Sequence, residues 1–174
     1  MNECKHSENN WTKVAVFAGG DRGHYRTDFD CFVGVDRGSL WILEEKLPLA
    51  LAVGDFDSVT VEERQLIQKH AQYFVQAQPE KDDTDLELAL LTIFEKNPQA
   101  QVTIFGALGG RIDHMLANVF LPSNPKLVAF MRQIEIEDGQ NLISYCPEGT
   151  SRLELRSDYN YLAFMPVRDS QLTI

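Results

Sequence analysis

Short apolar runs that stop at glycine or acidic residues alternate with helix-like segments through residues 13–121. This alternation restricts the possible folds more than any other feature of the sequence. An apolar run of about five residues that ends in such a loop is typical of a buried parallel strand. We therefore predict an α/β domain with a parallel sheet covered by helices on both faces. The predicted strands are residues 13–18, 31–35, 49–53, 73–76 and 102–105.

Helical segments separate these predicted strands. Two of them begin at a threonine that is followed three residues later by a glutamate, which is the pattern of a capping box. We interpret the glutamates at the helix starts, Glu62, Glu63 and Glu87, as solvated charges that complement the helix dipole. The predicted helices are residues 39–46, residues 61–71 after Thr60, residues 85–97 after Thr84, and about residues 111–121.

The pattern changes after residue 122. Residues 133–138, 151–157 and 161–164 alternate apolar and polar side chains with a period of two, and glycine and proline separate them. We predict three parts: an N-terminal tail at 1–12, the α/β domain at 13–122 and an antiparallel β domain at 123–174. Only 52 residues follow the second boundary, and the last apolar run stops in mid-pattern at residue 174. We expect a truncated β domain.

Composition and charge exclude several classes of protein. Twenty-six acidic residues against 16 basic ones give a net charge of −10, which repels nucleic-acid backbones. No apolar run approaches the roughly 20 residues of a membrane span, and the polar N-terminus is unlike a secretion signal. The three cysteines lack metal-ligand spacing. We expect a cytoplasmic protein that binds neither nucleic acid nor membranes.

Carboxylates cluster where predicted strands end and where the third helix begins. Because the carboxyl ends of parallel strands meet at one edge of a sheet, we expect these side chains to converge. Between residues 55 and 87 there are nine acidic residues and three basic ones, an excess that suits Mg²⁺. For the cluster of Asp55 and Asp57, the alternative to a metal role is that Asp57 or Ser58 forms the N-cap of the second predicted helix. The clusters are Asp36, then Asp55 and Asp57, then Asp82, Asp83 and Asp85.

A glycine-rich loop, residues 106–111, joins the predicted strand 102–105 to the last helix. Backbone N–H groups in such a loop can approach an anion closely, and Arg111 adds a fork of donors for phosphate oxygens. The loop has neither the Walker A pattern nor the dinucleotide pattern. His114 follows in the same helix, where it is either a packing or capping residue or part of the site. Together with the carboxylates, this loop predicts a nucleotide bound with its metal.

Four motifs within residues 33–118 occur together and in a fixed order: VGVDRG, LAVGDFDSV, QPEKDDTDLELAL and FGALGGRIDHMLAN. In these motifs the chain resembles the bacterial form of the thiamine pyrophosphokinase family. The resemblance implies Mg²⁺-dependent transfer of a pyrophosphoryl group from ATP to the hydroxyl of thiamine, which yields thiamine diphosphate and AMP. It also implies an α/β domain followed by a C-terminal β-sandwich, and a homodimer with its active sites between the subunits.

The resemblance further implies roles for residues within these motifs. It points to Asp55, Asp57 and Asp85 as the metal ligands and as catalytic carboxylates, with further catalytic roles for Asp82, Arg111 and Asp113. The nucleotide contacts that it implies are Asp36, Lys81, Thr84, Gly109, Gly110, Arg111 and His114. In-line attack on phosphorus needs an acceptor for the hydroxyl proton, and either Asp82 or Asp113 could take it.

Two other functions fit the same residues. One is a protein that binds nucleotide or thiamine without catalysis, because the C-terminal strands that complete the family's thiamine site are missing. The other is a Mg²⁺-dependent nucleotide hydrolase that uses the same carboxylates. The three functions differ in whether AMP is released and in whether its release requires thiamine.

Overall fold

A seven-stranded sheet forms the centre of the structure, a computed structural model that describes residues 10–77, 83–153 and 156–167. The strands are β1 (Lys13–Phe17), β2 (Cys31–Val35), β3 (Leu49–Gly54), β4 (Tyr73–Gln76), β5 (Gln101–Phe105), β6 (Ile134–Glu137) and β7 (Leu142–Ser144). Their order across the sheet is β4-β3-β2-β1-β5-β6-β7. Strands β1 to β6 pair in parallel, and β7 runs antiparallel to β6. The predicted α/β architecture is confirmed.

Helices connect the strands on both faces of the sheet. They are α1 (Gly38–Glu44), α2 (Val61–His70), α3 (Asp85–Lys96) and α4 (Ile112–Phe120), followed by two 3-10 helices at Leu121–Ser123 and Val128–Gln133. The capping box of α2 is complete, because Thr60 Oγ1 accepts a hydrogen bond from the Glu63 N–H and Glu63 accepts one from the Thr60 N–H. Across the described ranges, no helix is long and apolar enough to cross a membrane.

The core lies in two layers, because successive side chains of a strand point to opposite faces. Val14 and Val16 of β1 pack on the face covered by α3, together with Leu90. Ala15 and Phe17 pack on the opposite face, which α1 and α2 cover. The continuous burial of β1, β2 and β3 is that of parallel strands covered on both sides.

The C-terminal third differs from the sequence prediction in two places. Residues 134–137 were expected in an antiparallel domain, but β6 is a parallel member of the main sheet. Ile134 and Ile136 are fully buried in the same core as Ile104 of β5. A period of two marks a strand with two unlike faces in either kind of sheet, so it could not identify the partner strand. Residues 161–164 were also expected to be a strand, and the structure shows irregular chain there.

Candidate active site at the carboxyl edge of the sheet

Three carboxylates meet at the carboxyl edge of the sheet. Asp36 directly follows β2, Asp55 directly follows β3, and Asp85 is the first residue of α3. One oxygen of each lies within 4.8 Å of one oxygen of each of the others, and all three side chains are half-buried. We call this group the acidic triad. It joins residues from the ends of two strands and the start of a helix, at the edge where open α/β sheets bind their ligands.

The turn after β3 is built around the carboxylate of Asp36. Its Oδ1 accepts a hydrogen bond of 3.1 Å from the backbone N–H of Phe56. A Cβ on Gly54 would lie 1.9 Å from that same oxygen, so only glycine allows the approach. Asp36 and Phe56 both adopt left-handed backbone conformations, at φ 47° and 59°. Phe56 is buried and stacks on Phe74, which anchors this turn to the core.

The electrostatics of the triad favour a cation. The pKa of Asp36 is raised to about 7, mainly because the side chain is buried; the hydrogen bond from Phe56 lowers this pKa, and the charges of Asp85, Asp55 and Asp57 contribute to raising it. Carboxylate oxygens are the ligands that Mg²⁺ prefers, and a divalent ion among them would relieve their mutual repulsion. The donor set of the acidic triad therefore fits Mg²⁺.

The second carboxylate of this turn, Asp57, lies in a different environment from the members of the acidic triad. It is exposed, and it is not one of the three triad carboxylates. Its backbone N–H donates to Asp55 Oδ1 at 3.0 Å, which closes the turn and orients Asp55. The negative charge of Asp57 also raises the pKa of Asp36. The N-cap of α2 is Thr60, so neither Asp57 nor Ser58 caps this helix.

The start of α3 holds the third triad member, Asp85. Thr84 is the N-cap, and its Oγ1 accepts a hydrogen bond of 3.2 Å from the Glu87 N–H. The interpretation of Glu87 as a solvated charge is wrong, because this side chain is buried and accepts a hydrogen bond from Asn124. Two expected site residues, Lys81 and Asp82, lie outside the described residues.

The glycine-rich loop after β5 contains backbone that favours glycine. Gly109 and Gly110 have φ values of 86° and 68°, and no other atom lies within 4 Å of the position that a Cβ would occupy at either residue. Arg111 precedes α4 and donates to Asp113 at 2.6 Å, and both side chains are largely exposed. This pairing lowers the pKa of Asp113. His114 is exposed in the first turn of the same helix.

A cavity of about 360 Å³ lies between the loop after β1, the glycine-rich loop and the turn after β6, near the point where the strand order reverses from β1 to β5. Gly109 lines this cavity. Its polar side chains come from two other segments, the loop after β1 and the turn after β6. Sequence reasoning missed these residues, because no motif connects positions that are more than 100 residues apart. They are Asp21, His24, Asp138 and Gln140.

Comparisons with known proteins give a consistent result. Residues 23–131 match the family model described as "Thiamin pyrophosphokinase, catalytic domain". The thiamine pyrophosphokinase of Bacillus subtilis (strain 168) is 37% identical over 159 residues, which cover 88% of this chain and 73% of that protein.

Solved structures give the same picture. A thiamin pyrophosphokinase family protein from Enterococcus faecalis superimposes with a TM-score of 0.76 at 47% identity, covering 79% of this chain and 67% of the other. The crystal structure of the Bacillus subtilis enzyme gives a TM-score of 0.64 at 35% identity, covering 79% of this chain and 66% of the other. This chain therefore spans about two thirds of the length of both solved relatives.

Proposed function

This chain belongs to the thiamin pyrophosphokinase family, and from that membership we propose how its residues carry out the pyrophosphorylation of thiamine. The activity is that of a thiamine pyrophosphokinase. We propose ATP as the donor, Mg²⁺ as the cofactor, and thiamine diphosphate and AMP as the products. The observation that carries this proposal is the meeting of Asp36, Asp55 and Asp85 within 4.8 Å of one another.

The acidic triad would hold Mg²⁺ in this proposal. When bound, the ion supplies positive charge that offsets the negative charge of the transferring phosphoryl groups. Asp55 and Asp85 keep the metal role implied by the resemblance, and Asp36 takes the third position. Asp57 contributes its negative charge and orients Asp55 through its backbone N–H. The turn around Gly54 holds these groups in place before any ligand arrives.

The chain's own groups would bind the phosphates and move the proton. Arg111 is exposed and pairs with Asp113, and an exposed pair of this kind contributes little, so phosphate oxygens can replace the carboxylate. We propose Lys81, Thr84, Gly110 and His114 as further nucleotide contacts. The acceptor for the thiamine hydroxyl proton would be either Asp82 or Asp113.

The cavity near the strand reversal would hold the nucleoside part of ATP. Gly109 lines it and belongs to the proposed phosphate loop, so one loop would contact both halves of the nucleotide. Asp21 and Asp138 offer oxygens that can accept hydrogen bonds from ribose hydroxyls. Its volume of about 360 Å³ lies within the usual range of small-molecule sites.

We further propose that the active form is a cytoplasmic homodimer with a C-terminal β-sandwich. The support from the structure is apolar surface that a partner could cover. Ile112, Leu116 and Phe120 follow one another at four-residue intervals along α4 and are 69%, 44% and 41% exposed. Tyr161 and Leu162, in the region expected to enter the sandwich, are also exposed.

Product analysis tests the proposed reaction. Incubation with ATP, Mg²⁺ and thiamine should release AMP and thiamine diphosphate in equal amounts, and AMP release should stop when thiamine is omitted. AMP without thiamine would indicate the hydrolase instead. ADP with thiamine monophosphate would refute pyrophosphoryl transfer, and binding without products would indicate the non-catalytic protein.

Two matched variants on one helix test the role of the acidic triad. Asp85→Asn at the start of α3 should remove most turnover, because it takes one charged ligand from the triad. Glu95→Gln removes the same charge from an exposed position near the other end of α3 and should keep turnover near wild type. Equal rates in the two variants would contradict the assignment.

A further inference from the structure

Glu87 is a buried acidic residue to which the proposed reaction assigns no role. It lies in the first turn of α3, two residues after Asp85 of the triad, and is only 4% exposed. Burial of a carboxylate is costly unless charged or hydrogen-bonding groups face it. The groups that face Glu87 therefore indicate the structural role of this buried carboxylate.

A single turn between the two 3-10 helices supplies those groups. Asn124 Nδ2 donates to Glu87 Oε1 at 3.2 Å, and Lys126 Nζ lies 3.6 Å from the same oxygen. Lys126 also pairs with Asp83, which lies two residues before Asp85. The turn is held together by its own hydrogen bond of 3.0 Å from the Lys126 N–H to Asn124 Oδ1. The carboxylates of Asp83 and Glu87, which lie two residues before and two residues after Asp85, thus both contact this one turn.

We propose that Glu87, Asn124 and Lys126 form a brace that positions Asp85 for the cation. This inference rests on the proposed function, because it assumes that the acidic triad binds Mg²⁺. Groups that orient metal ligands from behind commonly set metal affinity, although they do not touch the metal. The brace makes Glu87 and Lys126 positioning residues, and it connects the segment after α4 to the metal site through α3.

Direct binding of Mn²⁺ without nucleotide, followed by electron paramagnetic resonance, tests the brace. Lys126→Met removes a positive charge near the triad, so electrostatics alone predicts tighter Mn²⁺ binding. The brace predicts the opposite effect, because loss of Lys126 should weaken Mn²⁺ binding at least about tenfold. Asn124→Ala changes no charge, and the brace again predicts weaker binding. Lys126→Met leaves the hydrogen bond from Asn124 to Glu87 in place, so the variant should still fold, which circular dichroism checks.

The matched control is Glu137→Gln, which alters another buried glutamate that faces basic side chains, here Arg26 and Arg156. It should leave Mn²⁺ affinity within about twofold of wild type, since Glu137 lies at the end of β6 and outside the brace. Unchanged or tighter binding in both Lys126→Met and Asn124→Ala would overturn the brace. If wild type and Asp85→Asn bind Mn²⁺ equally, the proposed metal site itself fails, and the brace fails with it.

Discussion

The half-buried carboxyl group of Asp36 should make cation binding to the acidic triad depend on pH. Its pKa is about 7, so near neutral pH a proton and a divalent cation compete for the same carboxylate. At pH 6 about nine tenths of the Asp36 side chains carry the proton, and at pH 8 about one tenth do. The proton must leave before the carboxylate can bind the cation.

The size of the effect follows from that pKa. The apparent Kd is multiplied by one plus the ratio of protonated to ionised Asp36, which is about 11 at pH 6 and about 1.1 at pH 8. Mn²⁺ should therefore bind about tenfold more tightly at pH 8. Calorimetry at pH 7 in two buffers of different ionisation enthalpy should show about half a proton released per ion bound.

Asp57→Asn is the sharpest check of this reasoning. It removes one of the charges that raise the pKa of Asp36 while leaving the three triad residues in place. The midpoint of the pH dependence should shift to lower pH. Mn²⁺ affinity that does not change between pH 6 and pH 8 in the wild type would refute the assignment of Asp36 to the site.

The same pKa has a consequence for stability in the absence of metal. Because the folded-state pKa of Asp36 lies above its ordinary value, protonated Asp36 favours folding, and this contribution is lost as the pH rises from about 4 through about 7. Asp36→Asn removes the titrating group. The free energy of unfolding of this variant minus that of the wild type should therefore be larger at pH 8 than at pH 4. Urea denaturation of both proteins at the two pH values measures this change.

Four further substitutions should change stability by amounts that urea denaturation can measure. Gly54→Ala should lower the free energy of unfolding by about 2–3 kcal/mol, because its Cβ would overlap a carboxylate oxygen at 1.9 Å. Gly109→Ala, where φ is 86° and the space is open, should cost only about 1 kcal/mol, and equal losses would contradict the steric argument. Thr60→Ala should cost about 1 kcal/mol by removing the cap of α2, and an unchanged midpoint would refute it. Arg26→Ala should cost about 3 kcal/mol, since it leaves Glu137 buried with a more distant partner, and a loss below about 1 kcal/mol would contradict that reasoning.

Most secondary structure could be predicted because its signals are local. The strand predicted at residues 31–35 has the same bounds in the structure, and α2 begins directly after its Thr60 cap as expected. Apolar runs and helix caps depend on neighbours within a few residues, and those are visible in the sequence. The four motifs likewise identified the family, which the comparisons confirm.

Predictions that depended on distant parts of the chain were less successful. Glu87 has the sequence context of a solvated helix start, but it is buried, and it contacts Asn124 and Lys126 from a distant part of the chain. Strand β6 has an alternation that occurs in both kinds of sheet, and its parallel pairing with β5 is visible only in the tertiary structure. Burial and strand pairing are decided by segments that have no fixed sequence distance from the residue concerned.

The acidic triad depends both on local sequence signals and on tertiary packing. The sequence by itself determined that Asp36, Asp55 and Asp85 would lie at the carboxyl edge of a parallel sheet, because each follows a strand or begins a helix there. Only the tertiary structure brought one carboxylate oxygen of each of Asp36, Asp55 and Asp85 within 4.8 Å of the others. The left-handed conformation of Asp36 and the missing side chain of Gly54 let two neighbouring strand ends approach closely, and such an approach depends on how separate strands pack.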